Sequence, residues 1–133
     1  MPDTRASCDL LLVHDRRWLA LGAALAFLGV ALGAFGAHAL RARVEPDLLA
    51  VWKTGVEYQL YHALGLGILS AAALPERVTR AVGVLFVTGV VLFSGSLYVL
   101  VLSGVRSFGM ITPIGGVCFL VGWAVLAAGA LRR

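Results

Sequence analysis

Four long apolar runs, residues 18–40, 58–74, 81–103 and 112–131, leave this chain few folds to choose from. At a rise of about 1.5 Å per residue, runs of this length match a hydrocarbon core of about 30 Å. They are continuously apolar, whereas a lipid-facing barrel strand alternates between faces and is roughly half as long, so the pattern predicts helices. A soluble globule is excluded, because with 60% hydrophobic and 14% charged residues there is too little polar surface to coat 133 residues. The expected solvent is lipid.

The turn signals between the runs predict an all-α, integral membrane, four-helix up-and-down bundle. Pro75-Glu76-Arg77 ends the second run in a short turn, and residues 104–111 form a comparably short link from the third run to the fourth. Residues 1–17 mix charges with an apolar patch, residues 10–13, too short to span, and read as a flexible or interfacial tail. The single transmembrane domain then covers residues 18–133. Glu45-Pro46-Asp47 looks like a helix start, followed by Leu48, Leu49, Trp52 and Val56 at helical spacing. That predicts a short amphipathic interfacial segment between the first two helices, with Trp52 and Tyr58 at the headgroup level and a bend at Gly55.

The formal charge of +4 and a pI near 9.7 do not make a nucleic-acid surface, because the basic residues are scattered among the ends of the runs. They read as topology signals. Arg5, Arg16, Arg17, Arg77, Arg80, Arg132 and Arg133 fall on one side, and Arg41, Arg43, Lys53 and Arg106 on the other, seven against four. Both termini are therefore expected on the cytoplasmic side of the membrane. Arg16-Arg17, the first run and Ala37-His38-Ala39 also imitate a cleavable signal peptide, but the run is longer than the usual 7–15-residue core. Cys8 and Cys118 would lie on opposite sides of the bilayer and are read as free thiols.

Small residues mark close helix packing: Gly22, Ala26, Gly29, Gly33, Gly36 and Ala37 in the first run, and Gly115, Gly116, Gly122 and Gly129 in the fourth. The polar residues of the runs gather toward the outer half. They are His38, then Tyr58, Gln59 and His62, then Ser94, Ser96 and Tyr98, and finally Thr112. Polar groups in hydrocarbon need partners, so the face carrying Tyr58, Gln59 and His62 is expected to point inward. Two readings follow: an interhelical hydrogen-bond clamp, or a polar pocket open to the outer leaflet for a lipid, quinone or other amphiphile.

Other chemistry fits less well. Haem would need His38 and His62 as facing ligands with Arg41 or Arg43 near the propionates, and zinc would need a ligand set the spans do not contain. Proton-coupled transport usually uses a buried carboxylate, and the only candidate, Glu57, is placed at the interface. Ser94-Gly95-Ser96 lacks the strand-turn-helix setting of a nucleophile elbow and reads as hydroxyls bonded to the preceding turn. Thr112-Pro113 reads as a helix cap followed by Pro. No catalytic residue, metal or cofactor is expected. The expected partners are the bilayer, and a membrane protein or a second copy of this chain.

Gly33-Ala34-Phe35-Gly36-Ala37-His38 and residues 52–64, WKTGVEYQLYHAL, carry a family likeness. So do Phe93-Ser94-Gly95-Ser96-Leu97-Tyr98, Ile111-Thr112-Pro113-Ile114-Gly115-Gly116 and Gly122-Trp123. In this order they resemble the YgdD/YwdK-like small inner-membrane protein family (DUF423), from residue 18 to the C-terminus. The resemblance implies a four-helix inner-membrane protein of a family described as of unknown function, and it supplies no catalytic residues to carry over.

Overall fold

The computed structural model describes the backbone of residues 4–132 and the side chains of residues 16–132. Four helices, α1 (Thr4–Phe35), α2 (Pro46–Ala71), α3 (Glu76–Ser103) and α4 (Thr112–Leu131), account for almost all of it, and the described residues contain no strand. Pro46 sits in the first turn of α2, where its missing N–H costs nothing, with Asp47 at the positive end of the helix dipole. Three residues before Pro75 the chain turns extended at Ala72, ending α2. At the far end of α3, Gly104 takes the left-handed conformation (φ 72°) and donates its N–H to Leu100 O at 2.9 Å.

The glycines record the register. Gly22 faces Ala63 and Leu66, Gly29 faces Leu60, and Gly36 faces Trp52, so α1 and α2 run antiparallel. Gly55 meets Leu97 and Tyr98 while Gly65 meets Phe86, and Gly122 meets Phe86 while Gly129 meets Val78. Each successive pair is therefore antiparallel, giving the expected up-and-down bundle. Trp18 fills the space over Gly83, joining α1 directly to α3. α2 and α3 contribute most of the buried residues, and α1 and α4 flank them.

Three stretches, Arg16–Leu40, Glu76–Ser103 and Arg106–Leu131, are long and apolar enough to cross a membrane. α2 falls outside that set because it carries Lys53, Glu57, Gln59 and His62. Gln59 and His62 are shielded by the neighbouring helices, whereas Lys53 and Glu57 are exposed in the first turns of the helix. The lipid-facing exterior is apolar, with Phe27, Val30, Leu64, Val91 and Leu120 all more than half exposed.

The backbone is helical from Thr4 and enters the first span without a break; the side chains of Cys8 and His14 lie outside the described residues. Residues 46–56, expected as an amphipathic segment, form the first turns of α2, which continues through Gly55 as one helix. Trp52 is only 1% exposed. A π-helical turn at Gly36–Leu40, in which Arg41 donates to Gly36 O five residues back, carries α1 over it. Packing against Gly36 and α3 buries the Trp52 ring within the protein near the end of the first span, a burial that the expectation of a headgroup-level indole did not include.

Candidate functional site

Two apolar clusters divide the bundle lengthwise. One, around Leu40, Trp52, Val56, Leu100 and Val101, closes the end away from the chain termini, and the other is built on Leu66, Leu69, Val82 and Phe86. Gln59, His62 and Ser94, all buried, lie between them. These three residues thus form a polar layer with apolar packing on either side along the bundle.

Each member of that layer ties two or three helices together. The Gln59 Nε2 donates to Leu25 O at 2.8 Å, and its Oε1 accepts the Tyr98 hydroxyl at 2.8 Å, joining α2 to α1 and α3. Ser94, expected to bond its own preceding turn, instead donates across to Gly55 O at 2.6 Å. It can do so because Gly55 lets α3 approach to where an added Cβ would lie 2.9 Å from the Tyr98 ring. Ser96 does bond within its own helix, to Phe93 O at 2.9 Å. Its single proton is then committed, so the Thr112 hydroxyl 2.7 Å away donates to it and links α4 to α3. Thr112 makes no side-chain cap on α4, whose cap position is Ile111.

His62 is the most constrained. Its Nδ1 lies 2.7 Å from Tyr58 O, and Trp123 Nε1 lies 3.0 Å from its Nε2. A carbonyl only accepts and an indole N–H only donates, so Nδ1 carries the proton, Nε2 is bare, and the ring is neutral. Phe119 stacks on it at 3.5 Å between centroids, and Phe86 meets it edge-on at 5.2 Å. Both nitrogens and a face are used.

The structure does not bring His38 into this layer. His38 is exposed, just beyond the level where Gly36 meets Trp52, ten residues or about 15 Å of helix from His62. The pair cannot face one another across a haem, and His62 has no free nitrogen to offer. Glu57 is exposed as well, and the buried polar side chains Gln59, His62, Thr79, Ser94 and Ser96 include no carboxylate among the described residues. Tyr58 also departs from its neighbours: its ring is 38% exposed, stacked on Phe93 at 4.5 Å. Gln59 turns inward, whereas Tyr58 borders an open lateral groove of about 520 Å³ between α2 and α4, lined also by His62, Tyr61, Phe93, Phe119, Leu120 and Trp123. Gly116 lies in this groove with no close neighbour, whereas Gly29, Gly36 and Gly115 sit where an added Cβ would collide and Gly33 where it would just touch.

Sequence reasoning missed the two indoles that complete the layer. Trp123 serves His62, and Trp52 donates to Leu32 O at 2.9 Å while its ring lies 4.7 Å from that of Tyr98. Available signals were the placement of Trp123 in the middle of an apolar run, where an indole N–H needs an acceptor, and Gly36, which makes room for a large ring. Cys118 is a free, half-buried thiol on α4.

Among curated proteins, the chain is 42% identical over 120 residues to the UPF0382 membrane protein YwdK of Bacillus subtilis, covering 86% of this chain and 96% of that protein. It is 45% identical to a UPF0382 membrane protein of Staphylococcus saprophyticus, covering 86% and 97%. With the UPF0382 inner membrane protein YgdD of Escherichia coli the identity is 44%, over 89% of this chain and 92% of that one. No solved structure matches. The family model described as "Protein of unknown function (DUF423)" matches residues 32–116, which take in the π turn, all of α2 and α3 and the start of α4. The chain is an integral membrane protein of the DUF423 family.

Proposed function

We propose that this is a non-enzymatic membrane protein that acts by associating with other membrane components, its four helices crossing together and both termini in the cytoplasm. One observation carries the reading: in the buried layer the polar side chains spend their hydrogen bonds on holding helices to one another. An acid, base or nucleophile needs a group free to meet a substrate, and His62, the best candidate by residue type, has neither nitrogen free. The crossing of α2 is supported by its antiparallel packing along α1 and α3, and the orientation by the excess of arginine on the termini side.

The aromatic groove supports a second reading, binding of a lipid, quinone or other amphiphile. Its place is then the flank of α2 and α4 beside Tyr58, where His62 also contributes to the lining although both its nitrogens are engaged within the bundle. Purification in mild detergent followed by native mass spectrometry tests both. A stoichiometric protein partner or defined oligomer is the expected result, and an empty monomer overturns the first reading. A small amphiphile retained by the wild type and lost in Tyr58→Ala, with folding intact, would establish the second instead.

A further inference from the structure

The end of the bundle where α4 finishes carries a second groove that neither reading uses. Leu74, Arg77, Val78, Val125, Gly129 and Arg132 line a cleft of about 760 Å³ between the α2–α3 turn and α4. Most of its lining is aliphatic, and two arginines, Arg77 and Arg132, complete it. Arg77 and Arg132 are both exposed and form no ion pair among the described residues. The adjacent Arg80 differs, because Glu76 holds it at 3.0 Å and thereby also neutralises the carboxylate beside the cleft.

We infer that this cleft seats an anionic phospholipid, its phosphate between Arg77 and Arg132 and an acyl chain against Leu74, Val78 and Val125. Charge and shape agree on that occupant. A guanidinium presents a planar fork of donors matched to phosphate oxygens, and two of them line this one cleft. Basic pockets between membrane helices are the usual recognition device for anionic headgroups. Arg77 also lies in the first turn of α3, where the helix dipole favours an anion. Free phosphate would satisfy the arginines but leave the aliphatic wall uncovered, so the lipid is the occupant that uses the whole site.

The test uses the full chain in mild detergent, with thermal unfolding followed as phosphatidylglycerol, phosphatidylcholine or inorganic phosphate is added. Phosphatidylglycerol is expected to stabilise the protein more than phosphatidylcholine does. In Arg77→Gln/Arg132→Gln its apparent affinity should fall about tenfold, the size expected for lost charge-assisted bonds, while Arg106→Gln, at the opposite end of the bundle, stays near wild type. All three arginines are exposed, so the variants leave the core untouched, and the melting temperature without added lipid checks this. Equal response to both lipids, no loss in the double variant, or inorganic phosphate acting as well as phosphatidylglycerol would each overturn the assignment.

Discussion

Trp123 donates its indole N–H to His62 Nε2 at 3.0 Å, joining residues 61 apart in sequence across α4 and α2. That bond, with the Nδ1–H held on Tyr58 O, fixes the tautomer of the imidazole and makes it an element of packing. Interhelical hydrogen bonds in membranes are individually modest, averaging about 0.6 kcal/mol and reaching about 1.7. The layer works by number and by placing its bonds on every helix.

Gln59 and Tyr98 should show the same coupling. Tyr98→Phe removes the hydroxyl that reaches Gln59 Oε1 but keeps the ring against Trp52. Unfolding in detergent should place the variant about 0.6–1.7 kcal/mol below wild type. Gln59→Leu should cost more, because it also releases the bond to Leu25 O on α1. Equal losses in the two variants would separate Gln59 from α1.

Adjacent glycines on α4 should respond in opposite ways. A Cβ on Gly115 would lie 2.4 Å from the backbone nitrogen of Phe93, which no rotamer change relieves, so Gly115→Ala should push α4 off α3 and cost about 1–3 kcal/mol. On Gly116 the nearest atom is 3.9 Å away. Gly116→Ala should be neutral or gain up to about 1 kcal/mol from helix propensity. Thermal unfolding of the pair distinguishes the two sites, and similar melting temperatures would contradict the register of α3 and α4.

Trp52 should be shielded from the bilayer. With Trp18 and Trp123 replaced by Phe, its fluorescence in vesicles should resist quenchers placed at the headgroup level, as its 1% exposure requires. Strong headgroup-depth quenching would return it to the interface and unseat the π turn above it.

The Arg80–Glu76 pair, 67% and 63% exposed, serves as a negative control. Such pairs on a helix surface contribute a few tenths of a kcal/mol at most, about 0.3–0.5. Arg80→Ala should therefore leave the unfolding midpoint close to wild type, and a large loss would show a role the structure gives it no contact to perform.

What could be read from sequence were the properties that belong to one segment at a time. Continuous apolar runs fix helices, and Pro46, Pro75 and Gly104 punctuate them by their own backbone chemistry. Residue type also singled out Gln59, His62, Ser94 and Ser96, since buried polar groups demand partners. Their partners were not legible, because the Gln59–Tyr98 and Ser94–Gly55 bonds each span 39 residues and depend on how far two helices approach. The burial of Trp52 was not legible for the same reason: an indole at the start of a span looks the same in sequence whether its ring is open to headgroups or fills the hollow at Gly36. His38 had the right type and lies on the wrong face, which only the rotation of the π turn decides.

The central claim, that the polar layer holds the bundle together, is tested most directly by a double-mutant cycle on His62 and Trp123. Unfolding free energies in mild detergent would be measured for wild type, His62→Phe, Trp123→Phe and the double variant, which keep aromatic bulk at both positions. The account predicts a favourable coupling energy of about 0.6–1.7 kcal/mol. Additivity within about 0.3–0.5 kcal/mol, with all four proteins folded, would contradict it.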